Sequence, residues 1–252
     1  MFKEKDKRKE RSRYDSMSER ILSIDKNELD ALFLESRTRL HLQAPYRFYE
    51  SLISQHLNDK KKVLEIGSGI GHYSGIIAKT GAKLFVTDIS EASLKVASNV
   101  LADHDNINYR MADMEDLPFE DGEFDAICSA GSLSYGDFYQ VKSEIKRVLK
   151  KEGLFICVDS LNNNPIYKIN RYFSYLRGKR SLSTLNNMIS TKMIDIYSEE
   201  FRIEDIKYFG SLSWLCSQLP NNQLIANMSN NFDKYINAKS SCFKFVMKAR
   251  VK

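Results

Sequence analysis

No apolar run in this 252-residue chain approaches the roughly 20 residues that a membrane-spanning helix needs. Residues 1–13 are charged rather than apolar, so no secretory signal is expected either. Cysteine is scarce. Cys128, Cys157, Cys216 and Cys242 stand apart without a C-x-x-C pair, which argues against a thiolate metal site or a disulfide framework and for buried thiols in a reducing cytoplasm. The net charge of +5 is mild and does not by itself call for nucleic acid. Acids are absent from residues 160–194, although the same stretch carries Lys168, Arg171, Arg177, Lys179, Arg180 and Lys192.

What remains fits one sizeable α/β domain with additions, since 252 residues are too few for two full domains at about 100–200 residues each. Residues 1–13 read as a solvated, flexible charged tail, its bases interrupted by Glu4, Asp6 and Glu10. From residue 14 to about 60, apolar residues recur at helical spacing, among them Ile21, Leu29, Leu32, Phe33, Phe48, Leu52 and Ile53. They predict a cap of two or three helices over the strand ends, with Tyr14, Arg39, Tyr46 and Tyr49 as possible ligand contacts.

The organising stretch is residues 63–74, VLEIGSGIGHYS. An apolar run leads into Gly67, Gly69 and Gly71 and then into helix formers, the pattern of a first strand, a tight turn and a first helix. A dinucleotide turn, G-x-G-x-x-G, would need glycine where His72 stands. The pattern is instead acid-x-Gly-x-Gly-x-Gly. Glu65 at its head would repel a pyrophosphate but can hold an ammonium, directly or through water. This stretch resembles motif I of the class I methyltransferases that use S-adenosylmethionine. The resemblance implies a Rossmann-like α/β sheet of seven strands, mostly parallel with the last one antiparallel, spanning residues 61–252.

Downstream residues extend the likeness. The run 83–88 ends in Asp88, close to the roughly 20-residue interval at which such folds set a carboxylate on ribose hydroxyls. Asp113, just past a third strand, matches the position that in the family accepts from the adenine amino group, and Met114 would pack on the purine face. The fourth strand, 124–131, brings Ser129, Gly131, Ser132 and Tyr135 toward the place where the family holds its methyl donor. The expected cofactor-binding set is therefore Glu65, Gly67, Ser68, Gly69, Gly71, Asp88, Ile89, Asp113, Met114 and Ser129.

Residues 161–195 form a helical insert that the minimal fold does not require. Solvated basic surface is the plain reading. The other is an acceptor site in which guanidiniums take an anion and tyrosines stack on sugar faces. Segments such as NNPIY (163–167) and LRGKR (176–180) carry a fainter likeness to methyltransferases of bacterial surface-polysaccharide and O-antigen biosynthesis. The resemblance accordingly implies methyl transfer to a small-molecule or glycan hydroxyl, with quinone- or lipid-type C-methylation and a non-catalytic donor-binding scaffold as alternatives. RNA methylation stands further back, since N-P-P-Y is lacking: Asn164-Pro165 is followed by Ile166. For the base, Asp159 comes first, with Tyr135 and His72 behind it. No metal is expected, and the chain is expected to be cytoplasmic, a monomer or a homodimer.

Overall fold

The apolar run before the glycines forms the middle of the sheet. In the computed structural model, which describes residues 4–24, 39–177, 181–216, 218–235 and 239–252, β1 (Lys62–Ile66) pairs in parallel with β2 (Lys83–Asp88) and β4 (Phe124–Ala130). β3 (Ile107–Met111) adds to β2, and β5 (Leu149–Ser160) adds to β4, both in parallel. β7 (Lys244–Val251) inserts antiparallel between β5 and β6 (Phe201–Phe209), giving the order 3-2-1-4-5-7-6. This is the expected Rossmann-like seven-stranded sheet.

Both faces of the inner strands are buried. Val63, Ala126, Cys128 and Val158 meet Tyr49, Leu52 and Ile53 of α2 (Ala44–His56), while Leu64, Ile66, Ile127 and Phe155 meet Phe138, Val141 and Ile145 of α5 (Phe138–Val148). Each fully buried side chain of this kind is worth about 1.5–3 kcal/mol, and a one-residue slip would exchange the two sets. The register is thus set by composition. Helix starts follow from local capping: Ser90 caps α4 (Glu91–Val100) by accepting from the Ser93 amide, and Asp137 caps α5 by accepting from the amides of Tyr139 and Gln140. The helix after the glycine turn, α3 (Ser74–Ala78), is short.

The N-terminal region departs from expectation. The flexible tail predicted over residues 1–13 is, from Glu4 onward, the first half of α1 (Glu4–Leu22). Positions 7, 10, 14, 17 and 21 make one helical stripe. Its first two places hold Lys7 and Glu10, whose charges find partners far away in the chain, so a stripe that looks solvated is anchored. α1 also lies on α4, with the Ser18 hydroxyl 2.9 Å from that of Ser93 and the Ser90 hydroxyl donating to Asp15 at 2.6 Å. Of the predicted cap, Leu29, Leu32 and Phe33 lie outside the described residues. α2 belongs to the core rather than to a cap, because Tyr49, Leu52 and Ile53 are buried beneath the sheet.

The insert is helical, as predicted: α6 (Pro165–Leu176), α7 (Leu182–Asn186) and α8 (Thr191–Glu200). Asn164 caps α6 and Pro165 occupies its first turn, where the missing amide hydrogen costs nothing. α9 (Ser213–Cys216) and α10 (Gln223–Tyr235) complete the connection from β6 to β7.

Candidate active site

The strand order reverses between β1 and β4, and a cavity of about 250 Å³ opens beyond their carboxyl ends. Its floor is the glycine turn. The turn is tied to the sheet by the Ser68 amide donating to Thr87 O at 3.0 Å. The three glycines do different things. A Cβ on Gly67 would stand 2.3 Å from Cβ of Ser132, and one on Gly71 would press on Ala97 of α4 at 3.0 Å, so these two permit close packing. Gly69, at φ +55°, has nothing within 4 Å of where its Cβ would be. The space a side chain would fill there belongs to the cavity, a cradle suited to a ligand lying on the backbone.

Asp88 stands at the end of β2, almost wholly buried, and its two oxygens accept from the amides of Gly69 (2.8 Å) and Ser90 (2.9 Å). Burial pushes its pKa up against the pull of these amides. A carboxylate offers about four acceptor sites, so lone pairs remain for a ligand diol. Asp113 accepts from the Glu115 amide at 2.9 Å and pairs with Lys7 at 2.6 Å. Lys7 also meets Glu115 at 2.7 Å. Burial lowers the Lys7 pKa, but the two acids outweigh it and hold the ammonium above its ordinary value.

α1 roofs the cavity with Lys7, Glu10, Tyr14 and Met17. Tyr14 meets Tyr135 edge to face, ring centroids 5.8 Å apart, and the Arg13 guanidinium lies 4.7 Å from the Tyr14 ring centre. Burial and the neighbouring Tyr135 push the Tyr14 phenol far up, so it stays protonated. The insert holds this roof from the other side: Glu10 accepts from the Ser181 amide and the Thr184 hydroxyl, both at 3.1 Å, and Ser183 donates to Asp6.

Gly67, Ser68, Gly69, Asp88, Ile89, Asp113 and Met114 of the predicted cofactor set line the cavity, as do His72 and Tyr135 of the predicted catalytic set. Four expected residues do not. Glu65 lies behind the turn, buried, where Ser74 donates to it, and burial pushes its carboxyl up to about 7 despite that bond. Gly71 packs on α4. The Ser129 hydroxyl, fully buried, pairs with that of Ser132 at 2.8 Å. Asp159 is 1% exposed, and its oxygens accept from the amides of Leu133 (2.9 Å) and Ser160 (2.5 Å). It thereby braces the 3-10 turn Leu133–Tyr135 and does not line the cavity. Burial raises its pKa, opposed by Lys244 and by these two amides. His72 faces the cavity with its pKa lowered by desolvation.

Tyr14 was legible as a contact, whereas Tyr49 is core and Tyr46 stacks on Tyr73 at 5.2 Å. Lys7, Glu10 and Met17 escape sequence reasoning. Their signal is the 7-10-14-17-21 stripe, which becomes visible only when charged residues are allowed into it. Among the described residues, no group of three or more His, Cys, Asp or Glu has the arrangement to hold a metal ion, and no helix is long and apolar enough to cross a membrane.

Residues 64–157, from β1 to β5, match the protein family described as Methyltransferase domain. Residues 64–157 thus form a methyltransferase domain, on the fold shared by the class I S-adenosylmethionine-dependent enzymes. Over 110 residues it is 34% identical to the demethylmenaquinone methyltransferase of Clavibacter sepedonicus, a stretch that covers 43% of this chain and 45% of that one. Over 139 residues it is 33% identical to the sterol 4-C-methyltransferase of Caenorhabditis elegans, covering 51% and 42%. The chain thus spans less than half the length of either relative. The methyltransferase fold extends further than the sequence likeness. The geranyl diphosphate C-methyltransferase of Streptomyces coelicolor, solved with Mg²⁺, geranyl diphosphate and S-adenosyl-L-homocysteine, superposes with a TM-score of 0.59 at 16% identity, covering 82% of this chain and 79% of that one.

Proposed function

We propose that this chain moves a methyl group from S-adenosylmethionine to a small-molecule acceptor with an apolar body, as a quinone- or lipid-type C-methyltransferase. The observation that carries the acceptor class is the wall of the cavity. Apart from the residues given to the donor below, its lining side chains include Tyr14, Met17, Ile70, Tyr73 and Tyr135, and Lys7 and the nearby Arg13 are engaged with Asp113, Glu115 and Glu10. An apolar body suits such a wall and a phosphosugar does not. The names of the quinone and sterol relatives point the same way.

On this reading Asp88 accepts from the ribose hydroxyls and Asp113 from the adenine amino group. Met114 packs on the purine, and the backbone at Gly69 lies against the ligand. When bound, the donor supplies a methyl group activated by a positive sulfur. The protein's part is to align the acceptor and keep water out. α1 and the Tyr14–Tyr135 pair exclude water, with Tyr135 orienting the acceptor. His72, which lines the cavity, takes the proton that leaves. Asp159 keeps the Tyr135 turn in place through the Leu133 amide.

The glycan reading has less behind it. None of the described residues of the insert lines the cavity, and Arg171 is turned inward against Met188 and Tyr167. The experiment is transfer of labelled methyl from S-adenosylmethionine to reduced naphthoquinones, sterols, nucleotide sugars and glycans in parallel. Label in a quinol or sterol supports the proposal. Label in sugars alone would restore the hydroxyl acceptor and remove the apolar one.

A further inference from the structure

We infer that α6 is an interfacial helix that seats this protein on an anionic lipid surface. Ile166, Ile169, Tyr172, Phe173 and Leu176 are each between 42% and 59% exposed. At about 100° per residue these five fall within an arc of about 120° on one side of the helix. The opposite side is packed: Arg171 is buried with a guanidinium nitrogen 2.7 Å from Met188 Sδ, and Tyr167 stacks on Phe243 at 4.9 Å. The apolar arc therefore points away from the protein.

Charge identifies the occupant. Lys168 and Arg177, both exposed, border the arc at its two edges, where their stems can follow an apolar surface while the charges reach phosphate level. No acid occurs in residues 160–194. Of the acids that flank this stretch, Asp159 is buried and Asp195 lies on α8. A second copy docked on this face would set Lys168 and Arg177 against their own duplicates with no carboxylate in the segment to pair them. An anionic bilayer offers both the apolar layer and the negative charge. Twelve residues make a helix of about 18 Å, too short to span, so it lies in the plane of the interface. The helix is fixed to the body by Asn164, which caps it and donates to Ser241 O at 2.6 Å. This inference rests on the surface of α6 and holds whichever acceptor is methylated.

The test is co-sedimentation of the full chain with vesicles of phosphatidylcholine alone and of phosphatidylcholine mixed with phosphatidylglycerol. Two double variants, Ile169→Glu with Phe173→Glu and Lys168→Glu with Arg177→Glu, are measured beside it, with thermal melts followed by circular dichroism to verify folding. Expected are binding to the phosphatidylglycerol vesicles, binding at least about tenfold weaker to phosphatidylcholine alone, and a loss of about tenfold or more in each variant, with added salt weakening the wild type. Equal binding to both vesicle types, no binding to either, or wild-type binding by folded variants overturns the proposal. A dimer in sedimentation velocity that Ile169→Glu with Phe173→Glu dissolves, without vesicle binding, would give the face to a second copy instead.

Discussion

Glu65 shows how a residue can be prominent in a motif and act from behind the site. Its carboxyl is buried with Ser74 as donor, and its pKa stands at about 7 against an ordinary value of 4.5. Between those two values the folded chain holds a proton that the unfolded chain has lost. The stabilisation is therefore complete below about pH 4.5, declines as pH rises through the window and is gone above about 7. The difference corresponds to about 3 kcal/mol. Glu65→Gln keeps a partner for Ser74 and removes the titration, so urea denaturation at pH 5 and pH 8 should show a smaller drop in stability across the window than the wild type. An unchanged pH dependence would place the titrating group elsewhere. Asp159 and His72 separate by a similar logic. Asp159→Ala leaves the Leu133 amide unsatisfied and should cost about 1–3 kcal/mol of stability and lower kcat, with the pH–rate profile unmoved. His72→Ala should instead abolish the acid limb of the profile while the protein melts normally. Gly69 and Asp88 were legible from the glycine turn and the interval that follows it, and Asp113 from the family resemblance. The removal of Glu65 and Asp159 from the cavity was not, since it depends on Ser74 and Leu133 claiming their oxygens.

At the scale of elements, α1 is the part most at odds with a reading from sequence. A run such as residues 4–15 looks solvated because its acids and bases satisfy one another locally, and three of its ion pairs do lie three or four residues apart. What fixes the helix is a contact 106 residues away, Lys7 on Asp113. No local pattern announces such a partner. α1 roofs the cavity, and its movement is expected to gate entry of the donor. Cysteines at Ser18 and Ser93, whose hydroxyls are 2.9 Å apart, should lock α1 onto α4 when oxidised. Stopped-flow binding of S-adenosylhomocysteine should then slow by about tenfold or more, with reductant restoring it. Equal association rates in the oxidised and reduced forms would mean that the ligand reaches the cavity without moving α1. The insert makes better sense in this light, since Ser181, Ser183 and Thr184 hold the roof, whereas Lys168, Arg171, Arg177 and Lys192 do not line the cavity.

For the whole molecule, the succession of strands from β1 to β5, with helices between all but β3 and β4, was readable because each buried strand is a continuous apolar run bounded by turn residues. The antiparallel closing strand was expected from the family resemblance. The roles of α1 and α6 depend on which faces the finished fold leaves covered, and a single sequence holds that only implicitly. The four cysteines, all free and buried, give a global check: a thiol reagent should label none of them in the native protein and four after denaturation. Labelling of a native thiol would put one of them at the surface.

Asp88 stands at the centre of the proposed donor site beyond the carboxyl ends of the strands. The most direct test of that assignment is a calorimetric titration of the full chain with S-adenosylhomocysteine, repeated on Asp88→Ala. One site per chain is expected, with a loss of about 1.5–3 kcal/mol in the variant, the worth of hydrogen bonds to a charged acceptor. No binding to the wild type, or equal affinity in the two proteins, would contradict the assignment.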